Sequence, residues 1–458
     1  MSASGRQREA LEGQIAEWRA YLRRRRAIFD PDVDELESHL REQVKELIDA
    51  GLAPDEAFLL GVKRMGSLDA LSREFAREHS ERLWKQLVLV NGEGGEPGRA
   101  GFVETAVAVC VAVAAALAVK APELFGHSQI GYGDGFYPRN ISLLVLPLLT
   151  GYFVWKRRTL DLRCLWLALP FVAAALFMNL LPFKAGGHTE VLAALHLPIA
   201  LWLVVGVAYA GGRWRRGGGR MDFIRFSGEL FIYYVLIALG GVVLTGFTGV
   251  MFKSIGLDVE GLAEGWLLPC GAAGAVIIGA WLVEAKQSVI ENMAPVLTRL
   301  FTPLFTLVLL AFLATMAWTG SGIDVEREVL IGFDLLLALV LGLLLYAVSA
   351  RDPKSPPDAF DVLQLVLVVS ALIVDLLALA AIATRISEFG FSPNRVAALG
   401  ENLILLVNLA WSAWIYGRFL VGRGSFLALE RWQTAYLPVY AVWAGFVAIG
   451  FPPLFDYA

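Results

Sequence analysis

The sequence predicts an all-α, polytopic integral membrane protein with about 11 transmembrane helices and a small cytoplasmic helical domain at its amino end. The first observation is composition: of 458 residues, 57% are hydrophobic and 18% are charged, and the mean hydropathy is +0.60. This is too apolar for a soluble protein of two domains. The second is that apolar runs recur after residue 101, most of them near the roughly 20 residues that cross about 30 Å of hydrocarbon.

Residues 1–90 differ from the rest because they are rich in charge and place apolar residues at helical spacing. Four short helices are predicted there, with apolar faces that include Leu11, Ile15, Trp18 and Leu22 in the first, Leu40, Val44 and Leu47 in the second, and Leu68, Leu71 and Phe75 in the fourth. Pro54 opens the third helix. The glycine-rich residues 91–101 are a predicted linker, and residues 102–458 form the membrane domain.

Eleven apolar runs make up the predicted membrane domain. They lie near residues 102–119, 141–155, 162–183, 191–210, 230–252, 262–283, 297–318, 329–350, 360–383, 396–417 and 436–455. The second run is short, so the count could be ten or twelve.

The lysines and arginines of the connecting loops predict the orientation. If residues 1–90 are cytoplasmic, sixteen of these residues fall in loops on that side and seven in the opposite loops. Cytoplasmic loops carry an excess of lysine and arginine. The amino end is therefore expected in the cytoplasm, which agrees with the absence of a signal-peptide pattern, and the carboxyl end outside.

Several polar side chains fall into one layer beneath the outer loops. At 1.5 Å per residue, Asp334 lies about 10 Å inward, Glu401 and His196 about 9 Å, and Asn179 about 8 Å. A carboxylate in lipid costs several kcal/mol unless it is protonated, paired or in contact with water. Acids at this depth are therefore candidates for transport or ion binding.

Asp375 lies deepest, about 15 Å inward and so near the midplane. Gln364 shares its helix face three turns away, and Glu401, Asn408 and Ser412 form a stripe on the next helix. These two polar stripes are expected to face a shared cavity.

The stretch TRISEFGFSPNR, Thr384 to Arg395, joins those two helices on the outer side. Its Arg385, Glu388 and Arg395 are candidate gate residues at the mouth of the cavity. A purely structural alternative stays open: Asp375 could make one interhelical hydrogen bond as a protonated acid, Glu401 could pair with a loop arginine, and the amides could join helices.

Other chemistry has little support in the sequence. Cys110, Cys164 and Cys270 lie within or beside apolar runs, the five histidines lack metal-ligand spacing, and no GxSxG motif occurs. No catalytic residue, metal or cofactor is predicted, and an enzyme is not favoured. The net charge of -4 gives no reason to expect nucleic acid.

Two segments carry a family resemblance. Asp32 to His79, with its "ELESHL", "GLAPDEAF" and "RMGSLDALSREF" motifs, resembles the permease prefix domain, a helical module found ahead of bacterial membrane proteins that include transporter permeases. "RISEFGFSPNRVAAL" and "NMAPVLTRLFTPLFTLVLLAF" are similar to an uncharacterised family of polytopic bacterial membrane proteins, known only as a domain of unknown function. The resemblance implies a bacterial inner membrane and no established activity.

Two functions are therefore compared. The first is an ion- or proton-coupled transporter or channel for a small solute, in which Asp375 binds the coupling cation. The alternative is a membrane sensor or regulatory scaffold that does not transport. In either case membrane lipids, a cytoplasmic protein partner of residues 1–90 and a second copy of the chain are the partners considered.

Overall fold

The computed structural model describes residues 11–12, 14–15, 30–49, 52–64, 99–127, 135–159, 165–184, 186–214, 218–254, 257, 260–285, 293–320 and 327–457. The chain divides into two compact units, Met1–Gly98 and Arg99–Ala458. The described residues of both are helical where they are regular, with no strand among them. The predicted all-α class is confirmed.

The first unit contains α1 (Asp30–Asp49) and α2 (Pro54–Arg64). Apolar residues on one face of α1, including the buried Leu40, Val44 and Leu47, pack against the buried Ala57 of α2 and against the segment near residue 11. Arg41 donates to both carboxylate oxygens of Glu12 at 2.8 Å, and this hydrogen bonding holds the pKa of that carboxyl below its usual range. The predicted fourth helix lies outside the described residues, as do Trp18 and Leu22.

The second unit contains eleven longer helices among its described residues. They are α3 (Arg99–Lys120), α4 (Phe136–Lys156), α5 (Leu165–Leu180), α6 (His188–Ala210), α7 (Gly219–Ser254), α8 (Leu268–Ala285), α9 (Met293–Thr319), α10 (Arg327–Ala350), α11 (Ala359–Phe389), α12 (Pro393–Leu420) and α13 (Phe426–Leu454). Each overlaps one of the predicted apolar runs, so the apolar runs of the sequence locate every one of these helices, although α7 begins eleven residues before its run.

Nine of the helices in the described residues are long and apolar enough to cross a membrane. The other two are α5, which has 16 residues, and α4, whose first turns carry Arg139 and Asn140. The protein is a polytopic membrane protein. Helix α13 begins ten residues before the predicted run, at Phe426 rather than residue 436, because polar residues such as Gln433 have partners inside the bundle.

Two apolar clusters form the interior of this unit. The first joins helices α3 to α8, and the second joins the beginning of α7 to helices α9 to α13. Helix α12 packs against α6, α10, α11 and α13. Polar residues on α12 can therefore reach four neighbouring helices.

The turn between α10 and α11 is held by a buried ion pair. Arg351 donates from Nε and from a terminal nitrogen to the two oxygens of Asp361, at 2.8 and 2.7 Å. Asp361 also forms a capping box with Asp358 at the start of α11. Together these contacts fix where α11 begins relative to the end of α10.

Candidate functional site

The first turns of α6 and α12 are joined by a hydrogen bond between His188 and Asn394, with 3.0 Å between Nδ1 and Nδ2. Pro393 starts α12 immediately after the glycine turn at Gly390, which has a positive φ of 75°. Glu401 lies seven residues after Asn394 on α12, and His196 lies eight residues after His188 on α6. Both side chains are therefore at a similar depth, about 10 to 12 Å from the hydrogen bond between His188 and Asn394 along the helices.

His196 and Glu401 are in direct contact through Nε2 and Oε1. The other ring nitrogen, Nδ1, lies 2.8 Å from the carbonyl oxygen of Leu192. A carbonyl only accepts, so this network assigns the Nδ1 position a hydrogen. The bond between Nε2 and Glu401 then needs one further proton, which either the imidazole or the carboxyl carries.

Asn402 connects α12 to α10 through a side-chain hydrogen bond. Its Nδ2 donates to Oδ1 of Asp334 at 2.7 Å and to the carbonyl of Ala398 at 2.8 Å. Successive residues of a helix point about 100° apart. Glu401 therefore faces α6, while the next residue faces α10. Asn402 is fully buried, and its Oδ1 has no hydrogen-bond partner among the described residues.

Asp375 on α11 is the most deeply buried acid of this region, with 0% exposure. Neither of its carboxylate oxygens has a hydrogen-bond partner within the described part of the chain. Asp334 lies on α10, which packs against α11, and Asn402 connects it to the helix of Glu401. His196, Glu401, Asp334 and Asp375 thus lie on four helices that pack one against the next, and we call these four residues the polar line.

An environment of this kind favours the neutral form of a carboxyl group. An ionised carboxylate without donors in a low-dielectric interior costs several kcal/mol, whereas a protonated acid avoids most of that cost. Asp375 can therefore hold a proton in its resting state.

Unsatisfied polar atoms concentrate around the polar line. Across the described residues, nine buried side-chain nitrogen or oxygen atoms have no hydrogen-bond partner. Six of the nine belong to α6, α11, α12 and α13 near this region: Thr189 Oγ1, both Asp375 oxygens, Asn402 Oδ1, Tyr440 OH and Trp443 Nε1. Buried polar groups are normally hydrogen-bonded, so such a concentration suits ordered water.

The other predicted polar residues contact different helices. Gln364 donates to Thr302 on α9 at 3.0 Å. Asn408 exchanges hydrogen bonds with Gln433 on α13 at 3.2 and 3.3 Å, and Ser412 accepts a third from Gln433 at 2.7 Å. These contacts join helices, so the two predicted stripes meet several neighbours rather than one cavity.

Asn179 on α5 is also paired away from the polar line. It exchanges hydrogen bonds with Asn140 on α4, at 2.7 and 3.0 Å. Each amide also donates to a carbonyl one turn earlier in its own helix. This reciprocal pair joins α4 to α5.

The candidate gate residues lie around the turn between α11 and α12. Arg395 donates to the carbonyls of Phe389 and Gly390 at 3.0 and 2.7 Å and so satisfies the end of α11. Glu388 is exposed, and Arg385 is half-buried and takes part in further contacts. Arg395 therefore stabilises the turn between α11 and α12, whereas Glu388 and Arg385 remain candidates for controlling access to the polar line.

Sequence reasoning missed three residues of the site: Asn402, Tyr440 and Trp443. Asn402 directly follows Glu401, so its place in the layer could have been inferred from the same depth. Trp443 packs against the backbone at Gly400, which has no side chain to hold it away. That contact depends on the pairing of α12 with α13, which depth along a helix does not reveal.

Within the described residues, no group of three or more histidine, cysteine, aspartate or glutamate side chains is placed to hold a metal ion. Comparison with models of known protein families, with curated proteins and with solved structures found no match.

Proposed function

We propose that this protein is a bacterial inner-membrane transporter or channel in which the polar line carries the coupling ion, and that this ion is a proton. The observation that supports the proposal most is Asp375, which is fully buried and whose two carboxylate oxygens have no hydrogen-bond partner among the described residues. Its helix packs against the helix that carries Asp334. Chains of acidic and histidine side chains within membrane helices are typical of proton relays.

The geometry favours a proton over a metal cation such as Na⁺. Membrane sites for Na⁺ use backbone carbonyls that are freed where a helix unwinds. Helices α10, α11 and α12 run without an internal break past Asp334, Asp375 and Glu401, so their carbonyls are occupied within the helices. A proton needs only a carboxyl oxygen or a ring nitrogen.

Each group then has a stated task. Asp375 binds and releases the proton near the midplane, Asp334 tunes the affinity of Asp375 for the proton, and Asn402 holds Asp334 in position. His196 and Glu401 share a proton nearer the outer end and exchange it with that side. The solute moved with the proton is small, and its entry is controlled by the loop that contains Arg385 and Glu388.

The orientation and the first unit belong to the same proposal. The bias of lysine and arginine supports an amino end in the cytoplasm and a carboxyl end outside. The resemblance of residues 32–79 to the permease prefix domain supports a cytoplasmic protein partner for residues 1–90. Exposed charges on α1, including Arg41, Glu42 and Lys45, would contact that partner.

A sensor or regulatory scaffold is the alternative. The observation that favours it is that Asn179, Asn408 and Gln364 all join helices, as they would in a bundle that does not transport. Direct measurement of flux separates the two functions.

The test is proton flux into liposomes that contain the purified protein, driven by an imposed pH gradient. The wild type should dissipate the gradient, and Asp375→Asn should reduce its rate to that of empty liposomes. Asp456→Asn, at a side chain that is 98% exposed, is the matched control and should retain wild-type flux. The absence of flux above empty liposomes in the wild type, with either gradient direction, would overturn the proposal in favour of the scaffold.

A further inference from the structure

Exposed arginines and tryptophans cluster around the turn between α12 and α13, at the opposite end of α12 from Glu401. Candidate spans end at Leu420 and begin at Phe426, so the residues between them lie outside the hydrocarbon. Helix α12 has 28 residues and is about 42 Å long, whereas a hydrocarbon core is about 30 Å thick. When the helix is centred in that core, about its last four residues, which include Arg418, reach the layer of lipid headgroups.

Two arginines are connected at this turn. The backbone N–H of Arg423 donates to the carbonyl of Arg418 at 2.8 Å, and Nη2 of Arg418 donates to the carbonyl of Arg423 at 3.0 Å. Both residues are exposed, and neither forms an ion pair with a carboxylate in the described part of the chain, the half-buried Glu430 of α13 included. A guanidinium has five N–H donors and stays charged. The turn therefore presents two uncompensated positive charges whose donors are mostly available to an oxyanion.

Tryptophan rings lie directly beneath the arginines, toward the centre of the membrane. Cζ of Arg418 is 4.9 Å from the ring centroid of Trp414, and the ring of Trp411 follows at 4.8 Å from that of Trp414. These two tryptophans are 47% and 50% exposed, and their indole N–H groups have no partner among the described residues. Trp432 on α13 lies 5.7 Å from Trp411 and donates to the carbonyl of Asn408 at 3.3 Å. The exposed rings are thus supported from the inside.

The order of these groups matches the layers of a phospholipid. A guanidinium pair lies at headgroup depth, where it can contact a phosphate. One turn deeper, the indole N–H of Trp414 faces the boundary where glycerol esters offer carbonyl acceptors, which is where tryptophan is enriched in membrane proteins. The flat faces of Trp411 and Trp414 continue into the acyl region.

We propose that Arg418, Arg423, Trp411 and Trp414 form a binding surface for an anionic phospholipid of the phosphatidylglycerol class, and we call these four residues the arginine–tryptophan surface. The phosphate accepts hydrogen bonds from the two guanidinium groups, an ester carbonyl accepts one from Trp414, and an acyl chain lies on the two rings. A zwitterionic headgroup is disfavoured, because its ammonium group meets two positive charges and no acid.

A second copy of the chain fits this surface less well. In a two-fold dimer the same patch meets itself. Contact centred on Arg418 and Arg423 would therefore place four guanidinium groups together, and like charges across an interface cost binding energy. The charge of the surface favours a lipid phosphate as its occupant.

The test is competitive lipid retention. The purified full chain is equilibrated in detergent with equal amounts of phosphatidylglycerol and phosphatidylcholine of the same acyl chains, and native mass spectrometry identifies the first lipid retained. An arginine at the membrane surface contributes about fivefold to the binding of an anionic lipid. The wild type should therefore retain phosphatidylglycerol about 25-fold over phosphatidylcholine.

Variants of the surface should lower this preference in steps. Arg418→Gln and Arg423→Gln should each reduce it about fivefold, and the double variant should bring the ratio close to one. Arg418→Lys keeps the charge and should retain most of the preference, whereas Trp414→Leu removes the ring beneath Arg418 and should reduce it about threefold. Lys354→Gln is the matched control: it removes one exposed positive charge from the turn between α10 and α11 at the same end of the bundle, and should behave as wild type.

Four results would overturn the proposal. The first is equal retention of the two lipids by the wild type, and the second is a preference that both arginine variants leave unchanged. The third is a loss in Lys354→Gln as large as that in Arg418→Gln, which would show that only the total charge matters. The fourth is a dimer mass that disappears in Trp414→Leu, which would assign the surface to a second copy. None of these measurements involves transport, so they test the surface independently of the polar line.

Discussion

The buried pair of Arg351 and Asp361 allows a quantitative test of how the helices that carry Asp334 and Asp375 are held in register. The guanidinium contacts both oxygens of a carboxylate that is 1% exposed. It also donates to the carbonyls of Asp352, Ser355 and Pro356. Removing one partner of a buried pair costs about 3–5 kcal/mol, because the remaining charge loses its compensation.

The two single variants should differ. Arg351→Met keeps an apolar stem beside the rings of Phe419 and Phe426 but leaves Asp361 uncompensated. We expect the free energy of unfolding to fall by about 3–5 kcal/mol. Asp361→Asn should cost about 2–3 kcal/mol, because the guanidinium retains its carbonyl acceptors. The double variant should lose less than Arg351→Met alone, because it no longer leaves a buried charge uncompensated.

The assay is equilibrium unfolding in mixed detergent micelles, followed by tryptophan fluorescence. The exposed Arg423 provides the control, since Arg423→Met should change stability by no more than about 0.5 kcal/mol. If the losses of the two single variants simply add in the double variant, within about 0.5 kcal/mol, the pair makes no net interaction. The account of the turn between α10 and α11 would then be wrong.

Two further variants test contacts of α12 and α5. Gly400→Ala adds a Cβ that overlaps the ring of Trp443, so it should destabilise the protein by about 1–3 kcal/mol in the same unfolding assay and lower proton flux; Gly417→Ala, which meets nothing within 4 Å, should do neither. Asn179→Leu leaves Asn140 without its partner and should cost about 1–3 kcal/mol, whereas adding Asn140→Leu should recover most of the loss. A double variant less stable than Asn179→Leu would contradict the reciprocal pairing.

The sequence alone predicts where the helices lie and how deep the polar residues of the site are, because both depend only on position along one helix. Counting residues inward placed Asp334, Glu401 and His196 in one layer. In the structure, His196 contacts Glu401 directly, and Asp334 is bonded to Asn402, the residue after Glu401. The calculation needs only the helical rise and the ends of the apolar runs. The layer itself was therefore predictable.

The partners of each polar residue were not predictable in the same way. Glu401 and Asn408 lie seven residues apart on one face of α12, yet the first contacts α6 and the second contacts α13. Gln364 and Asp375 share one face of α11, yet Gln364 contacts α9, whereas neither carboxylate oxygen of Asp375 has a hydrogen-bond partner among the described residues. Packed helices cross at an angle, so one face meets different neighbours at different depths. A stripe on a single helix contains no information about that crossing.

A proton path along the polar line requires Asp375 to hold a proton that exchanges with water, and infrared spectroscopy tests this requirement directly. The account predicts a protonated-carboxyl band in the wild type that shifts when H₂O is replaced by D₂O and is missing in Asp375→Asn. A shift would show that the buried acid holds a proton and exchanges it with water. A spectrum without that band, or a band that D₂O leaves unchanged, would mean that Asp375 is charged or sealed from water. The polar line would then not be a proton path.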